Sequence, residues 1–171
     1  MKRVLMFVIV LLAISVMTSG IAYAPAEVTD VTGTFSMTAT YPGEIKVAKS
    51  GIMLQRGALA SGPIGGDDSR LSGQLQIVLN ANFNTNTGEG VAFGSFIITN
   101  GAGTFEGRFT TKDSDYILFD GKIEGHGTGA YGGLLLKLDM TGIDTYRNGV
   151  EDITESISAT FTGYILSPHG A

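Results

Sequence analysis

Side chains two residues apart in a β-strand share a face. From Val31 onward, apolar residues recur at that spacing through short stretches rich in Val, Ile, Phe, Tyr and Thr, with no sustained helical period. Eight strands are predicted, at about 31–40, 44–55 (broken near Ser50-Gly51), 71–83, 89–99, 104–112, 115–126, 129–143 and 153–166. The segments between them carry turn chemistry: Tyr41-Pro42-Gly43, Asn84-Thr85-Asn86-Thr87-Gly88, Asn100-Gly101, Lys112-Asp113-Ser114-Asp115 and Arg147-Asn148-Gly149. The longest irregular piece expected is 57–70, a loop holding Gly62-Pro63 and Gly65-Gly66-Asp67-Asp68, where function or disorder concentrates.

The alternation sorts the chain into two faces. The apolar one collects Phe35 and Met37; Leu71, Leu75, Ile77, Leu79 and Phe83; Val91, Phe93 and Ile97; Phe105 and Phe109; Ile117, Phe119 and Ile123; Leu134, Leu136, Leu138 and Met140; and Ile153, Ile157, Phe161 and Ile165. The other is polar, as in Thr32, Thr34, Ser36 and Thr38, or Asp120, Lys122 and Glu124. One-sided burial in every strand implies an antiparallel sheet rolled around a core. Glycines fall on the apolar face at Gly33, Gly73, Gly107, Gly121, Gly125, Gly132, Gly142 and Gly163, where they let a sheet coil and close. The fold class expected is therefore all-β: a single eight-stranded antiparallel up-and-down barrel, with a β-sandwich as the alternative.

Composition changes this picture at the N-terminus. Lys2 and Arg3 precede an apolar run over 4–17, followed by small residues and Ala22-Tyr23-Ala24, the layout of a signal peptide. Residues 1–24 are expected to be that signal peptide, or an uncleaved N-terminal anchor, and 25–171 the barrel domain of a secreted or cell-surface protein. Without Lys2 and Arg3 the formal charge moves from −5 to −7, a surface that repels phosphate backbones, so no nucleic acid partner is expected. Membrane contact is expected only through the N-terminal segment. The absence of Cys excludes disulfides, thiolate zinc sites and a cysteine nucleophile, and two His leave no His-rich metal site.

The chain contains an internal echo. Gly101-Ala102-Gly103-Thr104-Phe105-Glu106-Gly107 and Gly127-Thr128-Gly129-Ala130-Tyr131-Gly132-Gly133 share Gly-x-Gly-x-aromatic-x-Gly, 26 residues apart, each where one strand turns into the next. The second copy also satisfies the dinucleotide fingerprint GxGxxG, which requires a helix to follow; turn-shaping glycines are the preferred reading. Over about residues 88–142 this glycine spacing resembles the Gly-rich hairpins of allene oxide cyclase and dirigent-like barrels and their small exported relatives. The resemblance implies an eight-stranded barrel with an apolar cavity, hydrophobic small-molecule ligands or substrates, and homo-oligomers such as trimers or dimers. The acidic and aromatic catalytic residues of those plant proteins have no assigned counterpart in this chain.

Candidate chemistry is sparse. Glu124 and His126 share a face with Asp120 and Lys122, so a carboxylate-imidazole pair is available, although an outward strand face is ordinarily a solvated charged one. Asp113-Ser114-Asp115 and Gly66-Asp67-Asp68 offer oxygens suited to calcium without matching an EF-hand loop, and Asp is common in turns for its own backbone bonds. No Gly-x-Ser-x-Gly elbow is present. No catalytic residue, metal ligand or cofactor is assigned, and Asp144 and Glu155 are ambiguous at strand ends. The function expected is a non-enzymatic barrel that binds a small hydrophobic ligand or serves as a structural surface module. The alternative is a cyclase-like or dirigent-like catalyst, which needs an internal acid or aromatic cluster at the barrel mouth. Ligand contacts are expected from Phe35, Phe93, Phe105, Phe109, Phe119 and Phe161, with Tyr131 at the mouth, and plain core is the default role for the same rings. Self-association would use outer-face or edge-strand surfaces.

Overall fold

The computed structural model describes residues 25–114, 117–145 and 156–168; the expected signal segment, Asp115, Ile153 and Glu155 lie outside them. Among the described residues, nine strands run β1 Glu27–Tyr41, β2 Glu44–Val47, β3 Ile52–Gly66, β4 Gly73–Asn84, β5 Gly90–Thr99, β6 Gly103–Ser114, β7 Leu118–Gly129, β8 Leu135–Thr145 and β9 Ser156–Ser167, with one 3-10 turn at Ser69–Leu71. From β3 to β9 each strand pairs antiparallel with the next, β9 pairs with β1, and β1 pairs with β3. That last pairing closes an eight-stranded antiparallel barrel. The fold expected from the alternation is the fold found. β2 stays outside the ring, paired with the first half of β3.

The segment expected as a loop over 57–70 is instead mostly strand: β3 continues to Gly66. The Gly-, Ala- and Ser-rich sequence looked irregular because it lacks bulky apolar side chains, yet Ala58, Ala60 and Ile64 alternate inward and are buried. A bulge sits between Gln55 and Ala58, where the pairing with β4 shifts and Gly57 takes φ +69°. Asn80 Oδ1 accepts the Gly57 N–H at 3.2 Å. Arg56 reinforces the gap by donating to Gln55 O and Ala81 O, both at 2.7 Å, and to Asn82 Oδ1 at 2.6 Å.

Small residues in the second half of β3 have a use at the seam. Gly33 of β1 lies opposite Gly66 of β3, and a Cβ on Gly33 would run into Gly65 O and the Phe161 ring. The missing side chains let β1 approach β3 while Phe161 fills the space between them.

The core is the predicted apolar face, with one strand out of phase and Ile117, in the turn before β7, half-exposed. In β5 the inward residues are Ala92, Phe96 and Ile98, whereas Val91, Phe93 and Ile97 face outward, and Phe93 is 38% exposed. Both faces of this strand are apolar, so a period of two cannot select between them. The ladder decides: Phe93 stands opposite outward Asn80, under the Arg56 guanidinium at 6.0 Å from its ring centre. The inward Phe96, Phe105 and Phe161 are almost fully buried, each removing about 1.5–3 kcal/mol of apolar surface from water.

Gly33→Ala is expected to destabilise the barrel by about 1–3 kcal/mol through overpacking at the seam. Gly65→Ala, with nothing within 4 Å of the added carbon, should stay within about 0.5 kcal/mol of the parent. Urea unfolding of both variants checks this pair.

Candidate functional site: a barrel cavity closed at one end

The two copies of the glycine motif meet. Gly103 pairs with Gly129 across β6 and β7, and the motif's two aromatic positions, Phe105 and Tyr131, stack with centroids 5.1 Å apart and planes 17° from parallel. Tyr131 is carried on the β7–β8 turn, and its hydroxyl donates to Asn100 Oδ1 at 2.7 Å. The same oxygen accepts from Ala102 N at 3.0 Å and Gly103 N at 3.2 Å, while Asn100 Nδ2 donates to Ser69 O at 3.2 Å and Arg70 O at 3.3 Å. One asparagine thus ties three turns over a stacked aromatic plug. The GxGxxG segment opens no helix; it forms this turn and leads into β8.

Acidic residues brace the same end. Asp67 accepts from Thr32 N at 2.8 Å, and Asp68 caps the 3-10 turn and pairs with Arg70 at 2.6 Å. The Thr32 amide chiefly holds the Asp67 carboxyl below the ordinary range, and the Arg70 guanidinium does so for Asp68. Their oxygens are engaged with protein donors.

At the opposite end no such plug is built by the described residues. A cavity of about 150 Å³ descends from it, walled by Phe35, Leu75, Ile77, Phe96, Phe109, Phe119, Ile123, Met140 and Ile157. An apolar cavity of about this volume holds a benzene-sized molecule. Its polar lining consists of Gln55, Thr85, Thr111, Asp113 and Asp144. Thr111 Oγ1 donates to Asp113 Oδ1 at 3.1 Å, and Thr85 Oγ1 donates to Gly51 O at 2.8 Å. Gln55, only 7% exposed, donates from Nε2 to Pro42 O at 2.9 Å, and no described residue donates to its Oε1. Burial pushes the Asp113 carboxyl up, partly offset by the Thr111 hydroxyl.

Of the residues predicted to contact a ligand, Phe35, Phe109 and Phe119 line this cavity. Phe105 and Tyr131 form the plug at the far end, so Tyr131 is not at the mouth. Phe161 packs at the Gly33 seam, and Phe93 is on the outer wall. Asp113 and Thr111 were missed as cavity residues although the alternation contains them: Phe105, Gly107, Phe109, Thr111 and Asp113 are successive inward positions. The predicted strand ends at 112, which places Asp113 in the Lys112-Asp113-Ser114-Asp115 turn. Asp144 continues the inward series Leu136, Leu138, Met140 and Gly142 in the same way.

The outer wall is divided. Over β6–β8 it carries a charged ladder in which His126 pairs with Glu106 at 3.3 Å, Lys122 with Asp139 at 3.0 Å and Lys137 with Glu124 at 3.4 Å. His126 therefore meets the cross-strand Glu106, and exposed pairs of this kind add little to stability. Over β3–β5 a hollow of about 280 Å³ is lined by Leu59, Val78 and Ile97 together with Thr40, Ser61, Gln76 and Ser95. Among the described residues no group of three or more His, Asp or Glu is arranged to hold a metal ion. Comparison with protein-family models, with curated proteins and with solved structures gives no match.

Two outcomes follow. Tyr131→Phe should cost about 0.5–1.5 kcal/mol through the lost Asn100 bond, and Tyr131→Ala about 3–5 kcal/mol through the lost plug, in chemical denaturation. Asp113, held above its ordinary value of 3.8, binds its proton more tightly folded than unfolded, so it costs stability at neutral pH and the cost fades as pH falls. Asp67 and Asp68, held low, act oppositely: their contribution is present above 3.8 and is lost as pH falls through their folded values. Asp113→Asn should therefore be more stable than the parent at pH 7, with the difference closing below 3.8; a less stable variant at pH 7 contradicts the assignment.

Proposed function

We propose that this protein is a secreted, non-enzymatic barrel that binds a small apolar molecule in the cavity at its unplugged end. The observation that carries the reading is an apolar, ring-lined space left unfilled beneath one mouth, while the other end is plugged by the stacked Phe105 and Tyr131 rings. Protein interiors ordinarily leave few voids larger than a water, and here large apolar side chains surround one without filling it. The volume suits a ligand of benzene size, smaller than the drug-sized occupants of about 300–1,000 Å³ pockets. The glycine-motif resemblance to allene oxide cyclase and dirigent-like barrels supports the same ligand chemistry.

One observation favours a second reading. A cyclase-like catalyst acting on a small apolar substrate needs an acid at the mouth, and Asp113 stands there with its carboxyl held protonated to higher pH than usual.

Toluene titrated into the purified chain should bind with a Kd of roughly 0.1 mM, from burial of about seven carbons at about 0.8 kcal/mol each. Ala92→Leu, which projects into the cavity wall, should weaken that binding at least tenfold. Calorimetry that detects no binding to the parent, or equal binding to the variant, rejects the cavity as the site.

A further inference from the structure

The polar atoms around the cavity are biased in one direction. Both hydroxyls that line it spend their protons on the protein, Thr111 on Asp113 Oδ1 and Thr85 on Gly51 O. The Gln55 amide gives one Nε2 hydrogen to Pro42 O and keeps Oε1 as an acceptor beside its second N–H. Asp113 and Asp144 add carboxylates from β6 and β8, and among the described residues no Lys, Arg or His lines the space. A ligand seated among the rings thus meets the Asp113 carboxylate at the mouth, which an N–H donor or a positive charge complements.

We propose that the cavity selects a small primary amine, bound as its ammonium, with its hydrocarbon part among Phe35, Phe109 and Phe119 and its N–H groups directed to Asp113. This rests on the reading of the cavity as a ligand site and adds the chemical class of the ligand. An ammonium offers three donors and a positive charge, which matches the acceptors and the acidic mouth together. A carboxylic acid in its ionised form brings a like charge beside Asp113 and Asp144 and is disfavoured. A neutral hydrocarbon fills the apolar space and leaves the acceptors to water. The volume of about 150 Å³ limits the apolar part to a single ring or a short alkyl chain.

Charge also sets the pH behaviour. Among the described residues, the titratable groups that line the cavity are Asp113 on β6 and Asp144 on β8; those from β1, β3, β4, β5, β7 and β9 are uncharged. Protonation of the two carboxyls removes the attraction while leaving the ring-lined space as it was.

The test compares benzylamine, toluene and benzoate, three ligands of one ring size and three charges, by calorimetric titration of the full chain at pH 7. Benzylamine should bind at least tenfold tighter than toluene, with benzoate weakest. In Asp113→Asn the ratio of benzylamine to toluene affinity should fall toward one, and in the parent the same ratio should shrink as pH is lowered to 4. Toluene binding as tightly as benzylamine, or a ratio unmoved by both Asp113→Asn and acid, overturns the amine assignment and leaves the cavity reading standing. Failure of all three ligands to bind overturns both.

Discussion

The constraint on which the structure depends is the closure of the ring between β1 and β3. An open antiparallel sheet of this length would present two edges and one bare apolar face. Pairing Gly33 with Gly66 joins the edges and turns that face into an interior. The join works because the side chains that would keep the strands apart are absent, and Phe161 from β9 fills the space they leave. β3 is shared along its length, giving its first half to β2 and its second to β1, so the bulge at Gly57 marks where a chain outside the ring passes into it.

Once the ring is closed, its two ends are built from different materials. The plugged end gathers short turns rich in Gly and Asn, and the repeated motif brings two aromatic rings into one stack under the Asn100 hydrogen bonds. The unplugged end has Thr, Gln and Asp on the inward positions where the plugged end has rings. Interior polarity therefore rises toward the mouth. The cavity lies between these regimes, too apolar for acid-base chemistry along most of its wall and acidic at its rim.

Much of this was legible in the chain, and for a stated reason: wherever one face is apolar and the other polar, a period of two fixes both strand and orientation. That holds for β1, β4, β6, β7 and β8, whose inward residues follow from Phe35, Leu75, Phe109, Ile123 and Leu138. It fails in β5, where Val91, Phe93 and Ile97 compete with Ala92, Phe96 and Ile98, and only the pairing of Phe93 with Asn80 chooses. It fails again in β3, whose strand character comes from two neighbours rather than from its own Gly- and Ala-rich composition. The candidate site was half visible. Its rings were found by alternation, but Asp113 and Asp144 belong to strand ends, where a charged residue reads as turn, and Gln55 lies beside a bulge that no local pattern announces. The shared position of Phe105 and Tyr131 in the repeated motif was on view, whereas their stacking required the ring to be closed.

The most direct measurement of the account is methyl NMR of the chain during addition of benzene. The account predicts shifts at Ile77, Ile123, Met140 and Ile157, which line the cavity, with Val31, Leu71 and Leu136 outside the cavity wall left in place. Shifts confined to outward Val78 and Ile97 on the outer wall, or no saturable shift at all, would contradict a ligand site inside the barrel.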